Sequence, residues 1–271
     1  MKLSIITVNY NNFDGLKKTA ESILTQTWRD FEWIIIDGAS TDGSREYIVD
    51  LNENLNKNGW NPISYWCSEP DKGIYNAMNK GIVKAKGDYL NFMNSGDGFY
   101  ESDTLRKIYL YIVKGNSDVY YGDANFIECD ESKVLKQPRQ IDWYFLFISA
   151  LNHQSMFIRT KIMQESGYDE SYKIMADYAR WLQLAMAGSV FEHIDVIVCN
   201  YDTTGISSVN MELHRAEKSR AQKECIDPIT MATIFRVYEF EYGHNYRRLK
   251  KIINKGGFIS FIIRFFLKIL S

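Results

Sequence analysis

Leu3 to Val8 is an unbroken hydrophobic, largely β-branched run, the pattern of a strand covered on both faces, and Asn9-Tyr10-Asn11-Asn12 stops it. Leu16, Ala20, Ile23 and Leu24 then recur at helical spacing. The alternation continues with a strand at 31–36, a helix through Tyr47, Ile48 and Leu51, a strand at 63–67, a helix at 74–85 and a strand at 89–93. Strands alternating with helices predict an α/β fold, a mostly parallel central sheet with helices on both faces. Past residue 100 the rhythm loosens. A helix at 105–113, short strands at 119–121 and 125–128, a mainly helical, aromatic- and Met-rich stretch at 142–188, and a strand at 190–198 follow. From Met211 the pattern is helical. There is no internal repeat and no Pro/Gly-rich linker, so the expectation is one continuous unit. Residues 1–100 form one half, residues 101–210 the other, and residues 211–271 a C-terminal helical tail.

With 271 residues, 45% of them hydrophobic, the chain can bury a sizeable core. A formal net charge of −2 excludes binding to nucleic acid through an overall basic field. Cys67, Cys129, Cys199 and Cys225 are far apart and form no metal-ligand pair, which fits a reducing compartment. Met1-Lys2-Leu3 runs straight into the first strand without a charged leader, and no apolar run approaches the ~20 residues of a membrane span. A cytoplasmic location is therefore expected. Charge is nonetheless uneven: Arg247, Arg248, Lys250, Lys251, Lys255, Arg264 and Lys268 lie among the last residues, with no acid between them.

Three predicted strands end in polar clusters, at 7–12, 37–42 and 94–97. Parallel strands set such ends side by side, where open α/β sheets bind their ligands. In Asn94-Ser95-Gly96-Asp97 a carboxylate sits with amide and hydroxyl oxygens, a set suited to a hard divalent cation with a phosphate beside it. The corner suggests nucleoside-diphosphate chemistry. Asp37 is placed to accept a hydrogen bond from a base or a ribose; taken alone, an Asp before Gly is as readily a turn residue. No G-x-G-x-x-G follows the first strand, which argues against a dinucleotide-binding dehydrogenase.

Ser4 through Asn11, Ile36 through Gly43, Gly73 through Gly81, Gly87 through Asp97, Asn152 through Arg159 and Ala176 through Leu182 together resemble the inverting family 2 glycosyltransferases, over roughly residues 1–205. The resemblance implies the GT-A fold and transfer of a sugar from a nucleotide-diphosphate-sugar, a UDP-sugar by default, to a hydroxyl of a glycan or lipid-linked acceptor in cell-surface polysaccharide assembly. It implies that Thr7, Asn9 and Tyr10 line the base pocket and that Asp37 contacts the base. Asp71 falls at a further donor-pocket acid, with Asn94 and Ser95 in the donor loop. Asp97 matches the ligand of a Mg²⁺ or Mn²⁺ cofactor. Asp177 matches the general base, and His153 an acceptor or diphosphate contact, although a lone His is as readily structural. The chain departs from the family pattern at Asn94 and Gly96, each in place of an Asp, at Ala176 in place of a Glu, and at Met78 in place of an Arg. Lys72 or Lys80 is then expected to supply the phosphate-facing cation.

Residues 101–210 are expected to choose the acceptor. Residues 245–271 interleave the basic residues with Ile, Phe and Leu, a composition suited to an anionic membrane surface as well as to a core-closing helix. Two rival readings remain at this level. A nucleotidyltransferase would carry a Gly-rich basic loop after the first strand, where this chain has Asn9-Tyr10-Asn11-Asn12. A non-catalytic sugar- or lipid-binding module would tolerate Asn94, Gly96 and Ala176.

Overall fold

A computed structural model describes residues 2–128, 131–203 and 210–242. The first half follows the predicted alternation: β1 (Leu3–Asn9), α1 (Phe13–Leu24), β2 (Phe31–Asp37), α2 (Ser44–Lys57), β3 (Ile63–Ser68), α3 (Ile74–Lys84) and β4 (Tyr89–Phe92). Then come β5 (Gly98–Phe99), α4 (Thr104–Ile112), β6 (Val119–Glu128), β7 (Glu131–Leu135), α5 (Trp143–Ile148), β8 (Met156–Arg159), α6 (Thr160–Glu165), α7 (Ala176–Met186), β9 (Phe191–Asp202), α8 (Met211–Cys225) and α9 (Pro228–Tyr242). A single 3₁₀ turn, His153–Ser155, leads into β8.

The strands form one sheet in the order β3-β2-β1-β4-β8-β6-β9-β5, with β7 paired to β6. It is parallel from β3 to β4, where strand and helix alternate in the sequence. Beyond β4 it is mixed: β8 runs antiparallel to both β4 and β6, whereas β9 is parallel to β6. The parallel pairing expected of the sheet is thus continuous through its first four strands and returns only between β6 and β9 among the described residues.

Every residue of β1 and β2 is buried, as the continuous hydrophobic runs require. On one face Leu3, Ile5, Trp33 and Ile35 pack with Leu16, Ala20 and Ile23 of α1 and with Leu105, Ile108 and Ile112 of α4. On the other, α3 lies against β1 and β2. Gly81 makes that approach possible: a Cβ there would stand 2.5 Å from Cγ2 of Ile6. Two compact units divide the chain, residues 1–222 and residues 223–271. In the second, α9 starts at Pro228, a residue suited to a first helical position, and the Asp227 carboxylate accepts from the N–H groups of Ile229 and Thr230. Among the described residues no helix is long and apolar enough to cross a membrane. Residues 245–271 lie outside the described residues.

Candidate active site

The loops after β1 and β2 are stitched together at the carboxyl edge of the parallel strands. Asn11 and Ala39, one in each loop, adopt left-handed backbone (φ 46° and 62°). For Ala39 this conformation is strained, and such strain gathers at ligand-binding loops. The Asn11 N–H donates to Ser40 Oγ, and Asn11 Oδ1 accepts from the Thr41 N–H. Asp37 ties the same loops from below. Its Oδ1 accepts from Asn9 Nδ2 (2.7 Å) and Ser40 Oγ (2.6 Å), and its Oδ2 from the Ser40 N–H (3.0 Å) and Ser68 Oγ (2.6 Å). Asp37 has no exposed surface, so a base could reach it only by displacing one of these four donors. Its carboxylate holds Asn9, Ser40 and Ser68 in place.

Thr7 is not brought to the cleft. It is fully buried and its hydroxyl accepts from the Trp33 indole at 2.9 Å, because it shares the face of β1 that carries Leu3 and Ile5. Tyr10, by contrast, is 70% exposed. A Cβ on Gly38 would stand 3.1 Å from the Tyr10 ring and 3.2 Å from Asp71 Oδ2, which puts the Asp71 carboxylate over Gly38 and beside that ring. Asp71 is held by Lys80 (2.5 Å), which also pairs with Glu69 (2.8 Å). Burial works against the Lys80 charge, but the two carboxylates outweigh it and raise its pKa to about 12. Lys80 is therefore committed to Asp71 and Glu69, whereas Lys72, just before α3, is exposed.

The loop after β4 is fastened by Thr19 of α1, whose hydroxyl donates to the carbonyls of Asp97 (2.6 Å) and Asn94 (3.1 Å) and accepts from the Gly96 N–H. Asp97 is 5% exposed; its Oδ2 accepts from Gln154 Nε2 (2.7 Å) and its Oδ1 from the Asp202 N–H (3.0 Å). Burial pushes the Asp97 carboxyl up to about 6. Around it Asn94 Oδ1, Ser95 Oγ and Gln154 Oε1 are buried oxygens that lack a hydrogen-bond partner. One carboxylate with several orphaned neutral oxygens is a donor set that fits a hard divalent cation whose remaining positions are filled by phosphate and water. Among the described residues no group of three or more acidic, His or Cys side chains forms a ready cation cage.

His153 connects this loop to the far side of the cleft. Its Nε2 lies 3.0 Å from Asn94 Nδ2, and its Nδ1 lies 3.0 Å from Asp177 Oδ2. An imidazole that donates from Nδ1 to Asp177 and accepts at Nε2 from Asn94 satisfies both contacts. Asp177, in the first turn of α7, accepts further from the Tyr75 hydroxyl (3.0 Å) and the Tyr178 N–H (2.8 Å). Burial opposes its charge, yet the hydrogen bonds from His153, the Tyr178 N–H and the Tyr75 hydroxyl outweigh it and hold the carboxyl below the usual carboxylate range. Tyr75 is pushed well up, by burial and then by Asp177, and so stays a donor. Asn94, His153, Asp177 and Tyr75 are one hydrogen-bonded chain, and Gln154, the neighbour of His153, links it to Asp97. Sequence reasoning missed Gln154 and Tyr75, although both lie inside motifs already marked.

A buried carboxylate in the loop after the last of four parallel strands, joined through Gln154 and His153 to a second carboxylate at the start of α7, is an arrangement suited to group transfer from a phosphorylated donor. The family model for glycosyl transferase family 2 matches residues 4–175, and the chain belongs to that family. An uncharacterized glycosyltransferase of Mycobacterium tuberculosis is 31% identical over 215 residues, covering 76% of this chain and 77% of the relative. A PGL/p-HBAD biosynthesis glycosyltransferase of Mycobacterium bovis is 29% identical over 212 residues, covering 74% and 77%. Among solved structures, Staphylococcus aureus TarS 1–349 in complex with UDP-GlcNAc superposes with a TM-score of 0.66 at 16% identity, over 90% of this chain and 74% of that one. The mannosyltransferase PcManGT of Pyrobaculum calidifontis, in complex with GDP-Man and Mn²⁺, superposes with a TM-score of 0.61 at 16% identity, over 99% and 79%. The protein is a glycosyltransferase with the GT-A fold implied by its motifs.

Proposed function

We propose that this enzyme inverts the anomeric centre of a sugar as it transfers it from a nucleoside diphosphate to a hydroxyl of a cell-surface glycan or its lipid-linked precursor. The observation that carries the reading is the hydrogen-bonded chain from Asn94 through His153 to Asp177, with Asp97 joined to it by Gln154. The nucleotide enters over the loops after β1 and β2, where Tyr10 offers an exposed ring and Asp71 a carboxylate for the base or ribose. Asp37 acts from beneath, by fixing Asn9, Ser40 and Ser68. The diphosphate meets the loop Asn94–Asp97 and the ammonium of Lys72. Asp97, Asn94, Ser95 and Gln154 would hold Mg²⁺ or Mn²⁺, which when bound offsets the charge developing on the departing diphosphate. A relative named for PGL/p-HBAD biosynthesis and a structural neighbour bound to UDP-GlcNAc support a glycan role and a UDP-sugar, while the neighbour bound to GDP-Man keeps GDP-sugars in view.

Asp177 is the base. An acceptor hydroxyl on its side of the cleft attacks the anomeric carbon from the face opposite the diphosphate. The new C–O bond forms as the bond to the diphosphate breaks, and the hydroxyl proton passes to Asp177. No covalent sugar–enzyme bond is needed. The depressed Asp177 pKa keeps the carboxylate free of protons at neutral pH, and the donors from Tyr75 and His153 fix its direction. The basic, apolar stretch 245–271 brings the enzyme to an anionic membrane, where a lipid-linked acceptor resides.

Calorimetric titration with UDP and GDP, with and without Mn²⁺, tests the donor half. The wild type should bind one of them more tightly when Mn²⁺ is present, and Asp97→Ala should lose that increment while remaining folded. An undiminished Mn²⁺ effect in Asp97→Ala would remove Asp97 from the cation site.

A further inference from the structure

The family match ends at residue 175, two positions before Asp177, yet a residue forty positions beyond Asp177 grips the backbone that leads into it. Glu217 of α8 is 7% exposed. Its Oε1 accepts from the Lys173 N–H (2.7 Å), and its Oε2 from the N–H groups of Ile174 (3.0 Å) and Met175 (3.1 Å). A buried carboxylate is costly unless donors surround it, and here three consecutive amides do so. Those amides are the last before Ala176, where α7 begins. The same helix takes hold on either side. Gln222 donates to the Phe147 carbonyl (2.8 Å) and the Tyr178 hydroxyl (3.2 Å), Lys218 to the Ile148 carbonyl (3.1 Å), and Arg220 to Ser171 Oγ (2.8 Å).

We infer that Glu217 is a positioning residue for sugar transfer: by holding the amides of 173–175 it sets the start of α7 and therefore the Asp177 carboxylate against His153. The inference rests on the reading of Asp177 as the base. Aligning a base to within a fraction of an ångström is worth as much as its chemical character, since a displacement of about 1 Å can lower a rate by about 10²-fold. A stretch of chain outside the family match thus completes the catalytic arrangement, through a fixed charge that touches no substrate.

The test uses the full chain and two readouts. One is the hydrogen-bonded Nδ1–H resonance of His153, assigned by its loss in His153→Gln, which reports the contact with Asp177 without any substrate. The other is the rate of nucleoside diphosphate release from UDP-N-acetylglucosamine and GDP-mannose with Mn²⁺. Glu217→Gln puts an N–H donor against backbone N–H groups. It should erase or strongly shift the resonance and slow release by about 10-fold or more, with donor affinity unchanged, and combined with Asp177→Asn it should slow release no further than Asp177→Asn alone. Glu217→Asp, which keeps the charge, should restore part of both readouts and serves as the test variant if Glu217→Gln does not fold. A folded Glu217 variant with a lower melting temperature but an intact resonance and wild-type release would overturn the inference, leaving Glu217 a purely structural buttress. Wild-type release in Asp177→Asn would instead overturn the base assignment, and the resonance would still decide whether Glu217 positions Asp177.

Discussion

Asp37 and Asp71 show how two acids on neighbouring loops divide one task. Asp37 is sealed beneath the loops with four donors on its oxygens, whereas Asp71 stands beside Tyr10, over the space left by Gly38. Asp37→Asn replaces an accepting oxygen with an NH₂ group that faces other donors, and should destabilise the protein by about 1–3 kcal/mol, the usual penalty for a buried mismatch. Asp71→Asn breaks an ion pair near the surface, worth about 0–1 kcal/mol, and should leave the melting temperature nearly unchanged while weakening UDP or GDP binding. Thermal melts with calorimetry on the two variants check this; a selective loss of affinity in Asp37→Asn without loss of stability would return the base contact to Asp37. Asp37 and Asp97 were legible in the sequence as strand-end residues, and Asp71 and Asp177 through the family resemblance, but whether each faces a ligand was not. Thr7 illustrates the limit: the alternation Leu3, Ile5, Thr7 pointed to the core, and the polar side chain drew it toward the cleft. The partner that settles the matter, Trp33, comes from the next strand.

Among the elements, the strands and helices of the first hundred residues were readable because both faces of the sheet are covered and the hydrophobic runs are continuous. β8 was not. Met156–Arg159 is four residues long within an aromatic stretch, and its partners β4 and β6 are distant in sequence. β6 read as two short strands because Gly122 and Asp123 interrupt it. The structure carries the strand through: a Cβ on Gly122 would stand 2.4 Å from the Val196 carbonyl, the pairing with β9 shifts register there, and Asp123 is buried against Lys136 and His193. A charged residue also anchors the start of β2. Glu32, 2% exposed, accepts from Ser4 Oγ (2.6 Å) and from the N–H groups of Lys86 (2.5 Å) and Gly87 (3.1 Å), which sets the turn into β4. Burial works against its ionisation, but the hydrogen bonds from Ser4, Lys86 and Ser64 prevail and lower its pKa from 4.5. A lowered acid contributes stability that is present above its unfolded pKa and is lost as pH falls through the folded value. Glu32→Gln should therefore be less stable than wild type at pH 7, by about 1.5–3 kcal/mol for hydrogen bonds to a charged group, and the gap should narrow below about pH 4. Denaturant melts across that range check it; a gap independent of pH would mean that the charge contributes nothing.

On the scale of the whole molecule, an α/β sheet and C-terminal helices were visible in the hydrophobic pattern. The mixed second half of the sheet was not, since antiparallel pairing follows from which strands meet rather than from local period. Residues 245–271 carry a prediction of their own. Each Lys or Arg near an anionic surface adds about 1 kcal/mol and is screened within a Debye length. Full-length protein should float with anionic liposomes and do so less in high salt, while a chain ending at His244 should stay unbound yet still bind nucleotide. Equal flotation of the two forms would remove the tail from membrane attachment.

The central claim is that one carboxylate, Asp177, drives transfer while the opposite side of the cleft holds the donor. Asp177→Asn preserves shape and removes proton acceptance, so the most direct measurement is single-turnover release of nucleoside diphosphate from the preferred nucleotide-sugar, in wild type and in this variant, alongside donor affinity. The variant should bind the donor as tightly as wild type and release product about 10²-fold more slowly or worse, the scale of a lost general base. Release at the wild-type rate, with the donor bound equally well, would contradict the account.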